Sequence, residues 1–136
     1  MNRIAKQLLL FFLFAFSCSM TSGQSANVLM KRIIGTWVLE NKNDKFVFKS
    51  NGDCFEYFVS ATPVKYKYRI SNDPAMCDPE KKKSVGDTTA YLILRDIKEK
   101  SEDCFIINQI SNKQLSISPW GGSGGLLYFK DQKVKH

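Results

Sequence analysis

Only one histidine occurs among the 136 residues, His136 at the very end. Without a second imidazole the chain offers neither a Ser–His or Cys–His nucleophile pair nor a multi-histidine metal centre. It also holds no phosphate loop, dinucleotide fingerprint or Cys-x-x-Cys pair. Carboxylates are the other route to acid–base chemistry, yet Asp44, Asp53, Asp73, Asp78, Glu99, Glu102 and Asp103 fall in turns, where solvation is their ordinary state. Glu56 stands inside an alternating run with Cys54 and Phe58 on its face, and is read as surface-exposed. This inventory argues against an enzyme, and no cofactor or metal is expected. What remains are thiols and rings. Trp37, Phe46, Phe48, Phe55, Tyr57, Tyr66 and Tyr68 fall at alternating positions, which a barrel would direct to one side to line a core or a pocket. Any Tyr hydroxyl held inside needs a hydrogen-bond partner.

The elements that must position these groups are strands. In Gly35-Thr36-Trp37-Val38-Leu39-Glu40 a period of two puts Gly35, Trp37 and Leu39 on one face. Lys45–Lys49 follows the turn Asn41–Asp44, and Asn51-Gly52, which tolerates positive φ, marks a hairpin into Cys54–Ser60. Val64, Tyr66, Tyr68 and Ile70 alternate with Lys65, Lys67 and Arg69, so this strand has one dry and one wet face. A long connection, 71–87, carries Pro74, Cys77, Pro79, Lys81-Lys82-Lys83 and Gly86. Strands are then expected at 88–96, 104–110, 114–118 and 126–130, with a Gly-rich loop after Trp120. A short helical turn within 25–32 precedes the first strand. Eight strands joined in sequence leave no exposed edge if the meander closes, so an all-β, eight-stranded antiparallel up-and-down barrel is expected ahead of an open two-sheet sandwich. Such a barrel is just wide enough to fill with side chains or to hold one small ligand.

A Gly two residues before a Trp at the start of the first strand resembles the Gly-x-Trp signature of lipocalins and of the bacterial lipocalin-like domains related to them. The resemblance implies structural roles for Gly35, Trp37 and Lys130: the Trp closes the barrel base under a basic side chain from the last strand, where the family usually has Arg. Lys at that place favours the looser lipocalin-like group. It also implies that the helical segment plugs one end. The exported portion holds Cys54, Cys77 and Cys104, and one disulfide is expected in an oxidising compartment. Meander topology brings Cys54 toward Cys77, whereas chains with this pattern pair a cysteine of this loop with one opening the sixth strand, which implies Cys77–Cys104. Both pairings, and three free thiols, stay open.

Length and an apolar fraction of 43% bound one domain, 24–136, after an N-terminal segment 1–23. Arg3 and Lys6 followed by the apolar run 8–16 resemble an export signal too short to span a bilayer. Cleavage after Gly23 competes with lipidation at Cys18, as in a bacterial lipoprotein, so secretion or the cell envelope is expected. Beyond residue 23, 18 basic residues stand against 13 acidic ones, an excess that suits acidic surfaces and is far from a nucleic-acid-binding composition. The expected function is non-enzymatic binding of a small apolar or amphipathic ligand by Phe55, Tyr57, Tyr66, Tyr68 and Trp120. The alternative is a solid barrel, an interaction or inhibitor protein that binds an envelope or secreted protein through loops such as 71–87. A monomer is expected, with the membrane met only through a lipid anchor.

Overall fold

In the computed structural model, residues 24–41 and 43–132 are described. The expected export signal, its Cys18 lipidation site and His136 lie outside them. Helix α1 (Ala26–Arg32) leads into eight strands: β1 (Gly35–Leu39), β2 (Lys45–Phe48), β3 (Asp53–Tyr57), β4 (Val64–Ser71), β5 (Ala90–Asp96), β6 (Glu102–Ile110), β7 (Gln114–Pro119) and β8 (Leu126–Lys130). Each strand pairs antiparallel with the next, and β1 pairs with β8, so the meander closes into a barrel. Closure satisfies every edge that an open sheet would leave unpaired.

Seven residues are too few for a helix to be stable alone. Lys31 and Arg32 complement the negative end of the α1 dipole, but the larger support is tertiary. Leu29 and Ile33 are buried in the barrel core, and the Ala26 N–H donates to Asn72 Oδ1 (2.9 Å) just past β4. The helix therefore covers the end where β1 begins and β8 stops. The expected single turn is in fact nearly two, with Ile33 as the helix C-cap.

Alternation decides what fills the interior. Trp37, Phe46, Phe48, Tyr66, Tyr68, Leu92, Leu94, Leu115, Ile117 and Tyr128 all belong to one buried cluster. In β6 the register shifts between Ile107 and Gln109. This bulge lets Ile107 and Ile110, three apart in sequence, both pack on the core. The hairpin at 49–52 closes as its residues require, with Gly52 at φ 87° and Asn51 Oδ1 accepting from the Asp53 N–H at 2.9 Å.

Candidate functional site

At the helix-covered end the chain builds a tight base. Trp37 is fully buried, and its indole Nε1–H donates to the Ile33 carbonyl at 2.7 Å. Trp37 lies opposite Lys130 in the β1–β8 ladder, and Lys130 Nζ sits 5.0 Å from the indole centroid. The lysine stem crosses above Gly35, where an added Cβ would lie 2.9 Å from Lys130 Cε. Gly35 also has φ 133°, a conformation that L-residues rarely adopt. The arrangement is structural: it seals this end, and the opposite end is the mouth of the barrel.

The layers between that base and the mouth are closely packed. A void large enough for water would leave accessible surface on the side chains around it, yet Phe48, Leu92, Leu94, Leu115 and Ile117 are at most 2% exposed. Tyr66 and Tyr68 are at most 8% exposed. The Tyr68 hydroxyl donates to the Lys49 carbonyl at 2.7 Å, and its ring meets Phe48 edge-on at 5.0 Å. Tyr66 reaches toward the mouth and donates to Glu56 Oε2 at 2.8 Å. So Glu56, read from sequence as a surface acid, faces the barrel interior. Burial, with Asp44 and Asp103 nearby, raises its pKa above the usual carboxylate range, and the Tyr66 bond opposes that rise. Burial likewise pushes the Tyr66, Tyr128 and Cys54 protons on more tightly, and Glu56 adds to each. Half-buried Leu39, Val64, Phe105 and Leu126 complete this layer. Among the described residues no group of three or more His, Cys, Asp or Glu is placed to hold a metal ion.

Phe55 and Tyr57 do not join Tyr66 and Tyr68. In the β2–β3 register Phe46 opposes Glu56 and Phe48 opposes Cys54, so Cys54 and Glu56 take the inward positions. The two rings are turned outward, 6.5 Å apart. Lysines cover them: Lys45 Nζ lies 4.9 Å from the Tyr57 centroid, and Lys49 and Lys65 lie 5.0 and 5.7 Å from that of Phe55. On the same outer wall Asp53 pairs with Lys67 and, at 3.6 Å, with Lys65. The Lys67 contact is the main reason its pKa falls below the usual range.

Trp120 is also on the outside. Tyr91 and Ile93 are 4% and 1% exposed although they alternate with the core residues Leu92 and Leu94, because the β4–β5 connection folds back over them. It is held there by a Cys77–Cys104 disulfide that spans 27 residues with a Cα–Cα distance of 5.8 Å. Trp120 meets Tyr91 edge-on at 5.5 Å, with Lys81 Nζ 4.6 Å from its ring. The rival Cys54–Cys77 pairing is absent: Cys54 is buried and free, pointing inward while the loop runs along the outer wall. Sharing one end of the barrel did not suffice, because the sheet itself separates the two thiols.

The closed eight-stranded barrel is compatible with a lipocalin-like small barrel. Comparison with known protein families, curated sequences and solved structures returns no match for this chain, so sequence signature and topology carry that likeness by themselves. Of the five residues expected to contact a ligand, two lie inside and three outside. Glu56 and Tyr128 were missed as interior polar groups. Parity alone could not find Glu56, which alternates with Cys54; the β2–β3 register, which sets these two opposite the inward Phe46 and Phe48, places it inside.

Proposed function

We propose that this protein is an exported, non-enzymatic interaction module: a solid barrel whose working surface is its exterior, with the stapled 72–89 connection presented to a partner protein. The observation that carries the reading is the closely packed core, of which Tyr66 and Tyr68 are part. The disulfide supports export, since such bonds persist in oxidising compartments. The connection combines Lys81, Lys82 and Lys83 with exposed Met76 and Val85 on a covalently fixed path. A fixed loop loses less entropy on binding than a free one.

The test contrasts two titrations. Lipids, haem and bile-acid-like molecules should leave Trp fluorescence without a saturable response. Crosslinking in envelope extracts should retain partners that are lost when Lys81, Lys82 and Lys83 are changed to Glu. An unchanged partner set after charge reversal would remove the loop from the function.

A second reading keeps the mouth, because the Glu56–Tyr66 pair and its half-buried apolar layer suit a small amphipathic molecule with a hydrogen-bonding head. A saturable fluorescence change that is lost on Glu56→Ala would favour it over the solid module.

A further inference from the structure

We infer that the outer face of β2–β4, with the β3–β4 loop at its upper end, is a docking surface for an anionic membrane. It lies on a different wall from the stapled connection and stands or falls independently of it. At its tip, Phe58 and Val59 are 38% and 65% exposed. They are adjacent apolar residues with Ser60 held at φ 60° directly behind them. Isolated exposed apolar residues need no explanation, but these two have a charged setting. Lys45, opposite Tyr57 at the end of β3, and Lys65, second residue of β4, stand at the two roots of the loop. Lys98 borders the groove that Thr62 and Pro63 line on its other side. Below them the wall continues with Lys49 over Phe55 and Lys67 against Asp53.

On the β2–β4 wall itself the acids do not cancel this charge. Among the described residues Asp53 is the only carboxylate on the β2–β4 wall, and it is shared by Lys65 and Lys67. Asp96 is turned back to the Lys98 and Glu99 backbone N–H groups at 2.7 and 2.9 Å. Asp44 and Glu99 stand at the rim beside Lys45 and Lys98, so the excess of positive charge lies on the wall beneath the tip. Lys45, Lys49 and Lys65 place their ammonium groups over aromatic rings while remaining exposed to solvent. An apolar tip, an aromatic layer beneath it and a belt of lysines is the order in which a bilayer offers acyl chains, interface and phosphate. A soluble acidic protein or polysaccharide would match the lysines but would give no reason to expose Phe58 and Val59.

The test places a reporter at the tip. Val59→Trp in the full chain is titrated with phosphatidylglycerol-containing vesicles, some brominated, and with phosphatidylcholine vesicles. The parent chain, which carries only Trp37 and Trp120, is titrated alongside, so that a response arising from any other part of the chain is seen there and subtracted. Expected are a blue shift and bromine quenching on the anionic vesicles alone. Each lysine near an anionic surface is worth roughly a fivefold change in partitioning. Neutralising Lys45, Lys49 and Lys65 to Gln in the same chain should therefore weaken it about a hundredfold, and 0.5 M salt should do likewise. Lys67 is left in place so that Asp53 keeps its partner. Near-UV circular dichroism confirms that each variant is folded. Unshifted, unquenched emission from folded Val59→Trp overturns the inference, as does equal partitioning of the neutralised variant. A shift with soluble heparin or polyglutamate but none with vesicles reassigns the wall to an acidic macromolecule and equally overturns it.

Discussion

Replacing Gly35 by Ala tests the barrel base, because the substitution meets two separable costs. The first is conformational: at φ 133° an L-residue is strained by about 1–3 kcal/mol. The second is steric. The new Cβ would lie 2.9 Å from Lys130 Cε and 3.4 Å from its Nζ, the only heavy atoms within 4 Å. A flexible lysine can swing away, but it then leaves its place over Trp37, worth about 0.5–1 kcal/mol. Together these predict a loss of about 2–4 kcal/mol for Gly35→Ala. Lys130→Ala removes both clashing atoms and the cation–π contact, so in that background Gly35→Ala should cost the backbone strain alone. The double-mutant cycle should show a coupling of about 1 kcal/mol. Urea unfolding of the oxidised protein, followed by Trp fluorescence, measures all four corners. A loss below about 1 kcal/mol for Gly35→Ala would refute the strain. A full loss with zero coupling would refute the role of Lys130.

Two further outcomes are expected. Removing the disulfide with Cys77→Ser/Cys104→Ser frees a 27-residue separation and should lower stability by about 3–4 kcal/mol; Trp120 emission should red-shift in the native state as the connection leaves Tyr91, and an unshifted spectrum would contradict the stapled path. Glu56 binds its proton more tightly folded than unfolded, so between the unfolded and the higher folded pKa the folded state holds more protons and stability falls as pH rises. Glu56→Gln keeps an acceptor for Tyr66 and removes the charge, so unfolding measured from pH 4 to pH 8 should show it gaining on the parent toward neutral pH; a parallel pair of curves would contradict an interior Glu56.

Much of the architecture follows from local chemistry. Alternation in Val64–Ile70 demands one dry face, Asn51-Gly52 demands a tight turn, and Gly35 before Trp37 marks where the first strand begins. Strand order could be read from these because each depends on residues near in sequence; closure and the base, which join Trp37 to Lys130 across the length of the domain, are expected from the need to leave no edge and from the family resemblance. Parity of a strand such as β3 does not. Cys-Phe-Glu-Tyr reads equally well with its rings in or out, and a period of two is indifferent to which face is the core. Cross-strand register decided it, since Phe46 and Phe48 occupy the inward positions opposite Glu56 and Cys54, while lysines from β2, β4 and the 49–52 turn could cover Phe55 and Tyr57 outside. The path of the 72–89 connection is likewise a long-range matter. Spacing alone allowed Cys77 to meet either Cys54 or Cys104, and only the closed wall, with one thiol inside it and the other outside, determined the bond.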